Sequence, residues 1–146
     1  MPTIVKFYMQ PGCEDLQPRK AHADDAAYDL RSREEATLDP RTAAMVPTGL
    51  FLELPAGFEA QVRPRSGLAA KSAITVLNSP GTIDAGYRGE VKVILFNAGT
   101  QPFQIERGDR IAQMVIQNLP EIELEIEENL AVSTRGAGGF GSTGKN

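Results

Sequence analysis

An all-β fold is predicted for this chain of 146 residues on three observations. Gly (14) and Pro (10) are abundant and Trp is absent, and the two turn formers together make up about 16% of the chain against a usual ~12%. Turn signals such as PxG, NxPG, DAG and NAG recur through the middle, roughly every 8 to 15 residues, the spacing of a sandwich or barrel. The apolar runs between them are short and β-rich, and only one short segment reads as helical.

In chain order, PTIVKFYM (2–9) and LFLEL (50–54) read as strands. Arg65 to Ile74 contains the Ala-rich string SGLAAKSA, a helix of one or two turns that Ser66 is placed to cap. Val91 to Phe96 (VKVILF) alternates briefly and then runs apolar, as a strand entering a buried sheet does, and Ile111 to Ile116 (IAQMVI) is similar. In Glu121 to Glu127 (EIELEIE), Ile122, Leu124 and Ile126 alternate with glutamates, the period-2 pattern of a strand with one apolar and one acidic, solvated face. That acidic face also protects an edge against aggregation. Past Val132 the chain turns glycine-rich, STRGAGGFGSTGKN, with Phe140 as its one large apolar side chain. Such a segment buries too little surface to fix itself. The chain therefore divides into a β domain over 1–132 and a flexible arm over 133–146.

Composition narrows the function. Fifteen Lys and Arg against nineteen Asp and Glu leave a net charge of -4, which argues against a broad nucleic-acid surface and makes any anion site local. One cysteine, Cys13, excludes an intrachain disulfide, and with the single histidine, His22, it cannot assemble a Cys/His zinc site. Both read as surface or packing residues. The first residues lack a basic start followed by an apolar core, and no stretch approaches ~18 apolar residues. A cytoplasmic protein without a membrane partner is expected.

Four polar clusters remain. Pro64-Arg65-Ser66-Gly67-Leu68 supplies a guanidinium, a hydroxyl and free backbone N–H groups, the parts of an anion site; a plain helix start would look the same. Asn78 to Glu90 is turn-rich and offers an amide, the Asp84 carboxylate and the Tyr87 ring. A carboxylate in a cleft can act as a general base toward water, and a nearby ring can wall a sugar; turn geometry alone would also explain the segment. In Arg107-Gly108-Asp109-Arg110-Ile111-Ala112-Gln113, Arg110 and Gln113 can point the same way, while Asp109 reads as pairing with a neighbouring arginine. Gly139 to Lys145 fits GxxxxGK, but Asn146 stands where Ser or Thr is required, which excludes a Walker-type loop.

Read in order with Ala27-Tyr28-Asp29-Leu30, these clusters resemble the five motifs of the trimeric dUTPases, most specifically in RSGLA, GTIDAGYRGEV, RGDRIAQM and RGAGGFGSTG. The resemblance runs from about Ala27 to Gly144. It implies a distorted jelly-roll β-sandwich, the dUTPase-like β-clip, assembled as a homotrimer whose active sites are shared between subunits, with the C-terminal arm closing over bound nucleotide. It implies hydrolysis of dUTP to dUMP and pyrophosphate by water attack on the α-phosphorus, which removes dUTP from the nucleotide pool and supplies dUMP for dTMP synthesis.

Residue by residue, the resemblance makes Asp84 the base that activates water, and Tyr87 the ring that packs on deoxyribose and excludes a 2′-hydroxyl. Asn78 matches the position that pairs with the uracil edge at a tight hairpin. Arg65, Ser66 and Gly67 match a phosphate-binding motif, Gln113 a further phosphate contact, and Arg135 the arm arginine that reaches the γ-phosphate. Phe140 matches the ring stacked over uracil, and Gly141, Ser142 and Thr143 supply donors in the same arm. Mg²⁺ is the implied cofactor, with Asp29 holding its water ligands. Two positions depart from the family pattern: Asp25-Ala26-Ala27-Tyr28-Asp29 stands where Ser-Ala-Gly-Tyr-Asp is usual, and Ala73 where glycine is frequent. Ala27 in place of glycine removes easy access to positive φ. Two alternatives stay open. A dCTP deaminase would need a glutamate beside the base and a second serine after Arg65-Ser66, where Gly67 stands. A nucleotide-gated binding module would use the arm as a ligand-ordered surface.

Overall fold

The run from Glu90 to Asn97 forms a strand in which Val91, Val93, Leu95 and Asn97 are buried and the residues between them are more exposed. In the computed structural model, which describes residues 1–145, it is one of ten strands. Asn146, the last residue of the predicted arm, lies outside the described residues. The strands are β1 (Lys6–Met9), β2 (Tyr28–Arg31), β3 (Ala36–Leu38), β4 (Ala43–Glu53), β5 (Phe58–Arg63), β6 (Ile74–Val76), β7 (Gly81–Ile83), β8 (Glu90–Asn97), β9 (Phe103–Ile105) and β10 (Arg110–Asn118). A helix, α1 (Ser66–Ser72), lies between β5 and β6.

Two antiparallel four-stranded sheets, β1-β4-β8-β6 and β2-β10-β5-β7, face each other, and β3 pairs with β9 beside them. Chain neighbours such as β4 and β5, or β7 and β8, fall in different sheets, so the connections cross the sandwich, as in a jelly roll. The core is built from the inward residues of both sheets: Val46, Leu50, Val91, Val93 and Leu95 from one, and Leu30, Ala60, Val62, Ile111 and Met114 from the other. Cys13 is buried in that core, and His22 is exposed beside Asp25. No described helix is long and apolar enough to cross a membrane.

Three sequence expectations change. Residues 121–127 form no strand, and Ile122, Leu124 and Ile126 are 75%, 93% and 98% exposed. Period-2 alternation states only that one face seeks cover; a strand also needs a neighbouring edge to pair with. The first strand spans Lys6–Met9 rather than 2–9, because β4 supplies partners only from Glu53 to Leu50. Arg65, not Ser66, is the N-cap of α1, in extended conformation and with no side-chain cap bond. At the other end Ala73 takes the left-handed conformation (φ 55) that favours glycine, its N–H reaching Ala69 and Leu68 carbonyls. Ala27, by contrast, is not among the residues of positive φ, so the chain passes this point without the conformation that glycine would ease.

One buried polar residue ties the β3–β9 pair to the sandwich. Asn97 is fully buried; its Nδ2 donates to Leu38 O (2.9 Å) and Gln101 O (2.8 Å), and its Oδ1 accepts from Gly99 N (2.9 Å). Asn97→Ala leaves those three main-chain groups without partners. It should lower stability by about 2–4 kcal/mol, read as a fall in the urea midpoint at fixed protein concentration; an unchanged midpoint would contradict this.

Candidate active site

The register of the second sheet brings three sequence-predicted residues to one place. Gln113 on β10 is paired with Asp29 on β2 on one side and with Arg63 on β5 on the other. Gln113 Nε2 donates to Pro64 O at 3.0 Å, and Arg65 Nη1 donates to Arg110 O at 3.0 Å, which draws the start of α1 against β10. Asp29, half-buried, lies 3.6 Å from the Arg110 guanidinium. Asp29, Arg63, Arg110 and Gln113 line a cleft of about 340 Å³ together with Asp25 and Ala27. Ser66 and Gly67 are exposed on the first turn of α1, next to Arg65. With Arg65 adjoining, three guanidinium groups and one amide stand beside the carboxylates of Asp25 and Asp29, and the guanidinium groups are matched to the oxygens of a phosphate chain.

Arg110 lines this cleft beside Gln113, as the sequence allows, whereas Arg63 carries no expectation from sequence. Arg63 holds Gln61 Oε1 through Nε and Nη2 (3.2 and 2.9 Å). The available signal was the Arg-x-Arg spacing of Arg63 and Arg65. Asp109 does not pair with an arginine among the described residues: its Oδ2 accepts from Glu106 N (2.9 Å), closing the β9–β10 turn. A short polar side chain satisfies its own turn more readily than it orders a long flexible partner.

The second group sits on the loop after β7. Asp84 and Tyr87 line a cleft of about 430 Å³ floored by Ile83, Val91 and Ile94 and flanked by Lys92 and Met45. Asp84 is exposed and has no ion-pair partner among the described residues, while its carbonyl accepts from Tyr87 N (3.1 Å) and so closes the turn. Tyr87 donates its hydroxyl proton to Glu90 O at 2.9 Å. Glu90, which sequence reading did not single out, accepts from Arg33 Nε and Gly49 N, both at 2.8 Å. Partial burial pushes its carboxyl pKa up, but the bonds from Arg33 and Gly49 and the charges of Arg33 and Lys92 outweigh this and leave it below the ordinary value. Asn78 is exposed on the turn between β6 and β7. Those strands belong to different sheets, so this is a crossover turn rather than the expected hairpin tip, and it contains a cis Ser79–Pro80 bond.

Within one chain the two groups do not meet. Ile83, beside Asp84, shares a row with Ala60 and Ile116, whereas Asp29 shares one with Gln113 and Arg63. The rows are three residues apart, about 10 Å, and β7 stands three strand spacings from β2, about 14 Å. The arm residues Arg135, Phe140, Gly141, Ser142 and Thr143 are exposed. Among the described residues the side-chain bonds of the arm stay within it, Arg135 Nε to Gly138 O and Gly136 N to Ser133 Oγ. No group of three or more His, Cys, Asp or Glu side chains able to hold a metal occurs among the described residues.

Comparison with known proteins matches this arrangement to one family. The dUTPase family model matches residues 16–144. The deoxyuridine 5'-triphosphate nucleotidohydrolase of Solibacter usitatus is 58% identical over 132 residues, covering 89% of each chain. That of Clostridium tetani is 54% identical over 128 residues, covering 88% of each. Among solved structures, a mutant dUTPase of Staphylococcus bacteriophage 80alpha with dUpNHpp superposes with a TM-score of 0.90 at 27% identity, over 99% of this chain and 100% of that one. With the family model spanning all but the chain's two ends, and close relatives matched over most of their length, this chain belongs to the dUTPase family.

Proposed function

We propose that the chain hydrolyses dUTP to dUMP and pyrophosphate, and that its site is completed between copies in a homotrimer. The observation that carries this reading is the division just described: a cleft with Arg63, Arg110 and Gln113 beside Asp29 and with Arg65 adjoining, and a separate loop bearing Asp84 and Tyr87. Neither half is sufficient, since the carboxylates of the first are engaged by Arg110 and His22, and the second offers Lys92 as its one lining cation among the described residues. A second copy placing its Asp84 loop beside the first copy's Asp29 cleft supplies both. The exposed apolar residues Ile122, Leu124, Ile126, Leu130 and Val132 support association, because a soluble chain rarely leaves so many in one segment uncovered.

In the assembled site Asp84 orients the attacking water and takes its proton, a task suited to an unpaired carboxylate. Tyr87 packs on the deoxyribose, where a 2′-hydroxyl would meet the ring. Asn78 pairs with the edge of uracil. Arg65, Ser66, Gly67 and Gln113 bind the phosphate chain. The arm, 133–146, closes over the nucleotide, with Arg135 on the γ-phosphate, Phe140 over uracil, and Gly141, Ser142 and Thr143 donating to phosphate oxygens. Charge gathers on the phosphoryl oxygens in the transition state, so cations already aimed at them are the main catalytic resource.

The donor set fits Mg²⁺ carried by the substrate: one half-buried carboxylate, Asp29, beside a phosphate cleft matches an ion that keeps several waters and takes its other ligands from phosphate. Asp29 would hold such an ion through water, and the ion would supply charge neutralisation for the phosphate chain. Such an enzyme acts on the cytoplasmic nucleotide pool, removing dUTP and supplying dUMP.

Pyrophosphate release with Mg²⁺, measured on dUTP, dCTP, dTTP and UTP with ammonia followed in parallel, tests this. Turnover of dUTP alone without ammonia is expected. Ammonia from dCTP would replace the reading with a deaminase, and silence on all four with a nucleotide-gated binding module.

A further inference from the structure

Tyr87 is 46% exposed, so its orientation rests on few contacts, and they come from the residues that follow it. The ring lies over Gly89 so closely that a Cβ there would stand 2.4 Å from the hydroxyl oxygen and 2.5 Å from Cζ. Its hydroxyl donates to the carbonyl of Glu90 at 2.9 Å. That carbonyl belongs to the residue whose carboxylate is anchored most firmly in this part of the sandwich. Glu90 Oε2 accepts from Arg33 Nε and from Gly49 N, each at 2.8 Å, and Oε1 lies 3.4 Å from Arg33 Nη2. The Glu90 side chain is 11% exposed and that of Arg33 28%, which sets this pair apart from the more exposed ion pairs of the surface. Gly49 can donate because β4 breaks its register with β8 between Pro47 and Phe51, and there Gly49 takes a φ of 74. A side chain at 49 would strike Cys13 at 2.8 Å.

We propose that the Arg33–Glu90–Gly49 clamp positions the Tyr87 ring and thereby sets how strictly the site rejects a ribonucleotide. The inference rests on the reading of Tyr87 as the sugar wall. The Asp84 turn is held separately, by Tyr87 N donating to Asp84 O and by Arg88 Nη1 donating to the carbonyls of Ala85 (2.7 Å) and Tyr87 (3.2 Å). Glu90 is the first residue of β8, beyond the register break, where its pair with Phe51 and the side-chain clamp together hold the carbonyl; releasing the clamp loosens the ring's anchor and leaves the bonds of the Asp84 turn in place. Arg33 and Glu90 are positioning residues acting through Tyr87, Glu90 at the wall of the cleft and Arg33 behind it.

The test compares kcat/KM for dUTP and UTP, with Mg²⁺, in the wild type and in Arg33→Met, Glu90→Gln, Tyr87→Phe and Tyr87→Ala. The dUTP/UTP ratio should fall about threefold to tenfold in the first three, the worth of one hydrogen bond. The kcat for dUTP should stay within about twofold of wild type in Arg33→Met, a position outside the cleft. Arg33→Met added to Tyr87→Phe should lower the ratio no further, because both remove the same restraint. A merely structural clamp would depress both substrates equally and leave the ratio unchanged, which would overturn the proposal, as would additive effects in the double variant. If Arg33→Met fails to fold, Arg33→Lys, which keeps the charge and loses the fork, answers the same question. A ratio lowered by Tyr87→Ala but not by the clamp variants overturns this inference alone; a ratio unmoved by Tyr87→Ala overturns the sugar-wall reading and the inference together.

Discussion

Asp84→Asn should bind a non-hydrolysable dUTP analogue as tightly as the wild type and yet lose about two to four orders of magnitude in kcat, the usual worth of a positioned general base. The substitution is isosteric and leaves the turn intact, because the turn is closed by the Asp84 carbonyl and the Arg88 guanidinium rather than by the carboxylate. Asp84 is exposed and forms no ion pair among the described residues, so its neutralisation strands no partner and costs the fold little. What the amide cannot do is take a proton from water. Calorimetric titration with the analogue, set beside single-turnover pyrophosphate release, separates the two effects. Wild-type turnover in the variant would remove Asp84 from the mechanism. Loss of binding would show that it serves the substrate's ground state as well.

How much of this was legible beforehand depends on the range over which each signal acts. The alternation of β8 and the apolar run of β10 are local patterns, and both strands stand where the sequence places them. The segment 121–127 carries an equally clear pattern and forms no strand, since the pattern records a demand for cover that a single chain does not meet. The N-cap departs from expectation for another reason: serine is the commoner capping residue, but Arg65 takes the extended conformation after β5 while its guanidinium reaches across to β10.

The same distinction holds in the site. Asp29, Arg65 and Gln113 were legible only through the order of the motifs, and the antiparallel register of β2, β10 and β5 is what makes them neighbours. Arg33 and Glu90 stand 57 residues apart in sequence and leave no local trace. An arginine within the charged run 31–35 and a glutamate after a turn read as surface charge until a register break in a third segment offers the Gly49 N–H beside them.

A chain ending at Val132 should still fold and associate but hydrolyse dUTP about 10³-fold or more slowly, the scale on which an arginine supplied by a closing segment acts in phosphoryl transfer. The expectation follows from where the arm's contacts lie. Among the described residues its side-chain hydrogen bonds join arm residues to one another, Phe140 lies open to solvent, and none beyond Asn118 belongs to a strand. Removing 133–146 therefore takes nothing from the sandwich core, while the apolar residues Ile122, Leu124, Ile126, Leu130 and Val132 remain to be covered by another copy. Glycines among Arg135, Phe140, Ser142 and Thr143 leave the arm free to adopt the turns that bring a guanidinium, a ring and two hydroxyls onto one ligand. Ordering it costs conformational entropy, which only a ligand bearing matching charge and a flat base can offset. The loss should thus fall on kcat/KM for the triphosphate, with little change in thermal stability without nucleotide. Sedimentation of the truncated chain at several concentrations, beside its steady-state kinetics, decides the point. An unchanged mass with collapsed turnover makes the arm a catalytic closure. Dissociation into single chains would make it a structural tie between copies, and full activity would leave Arg135 and Phe140 without a role.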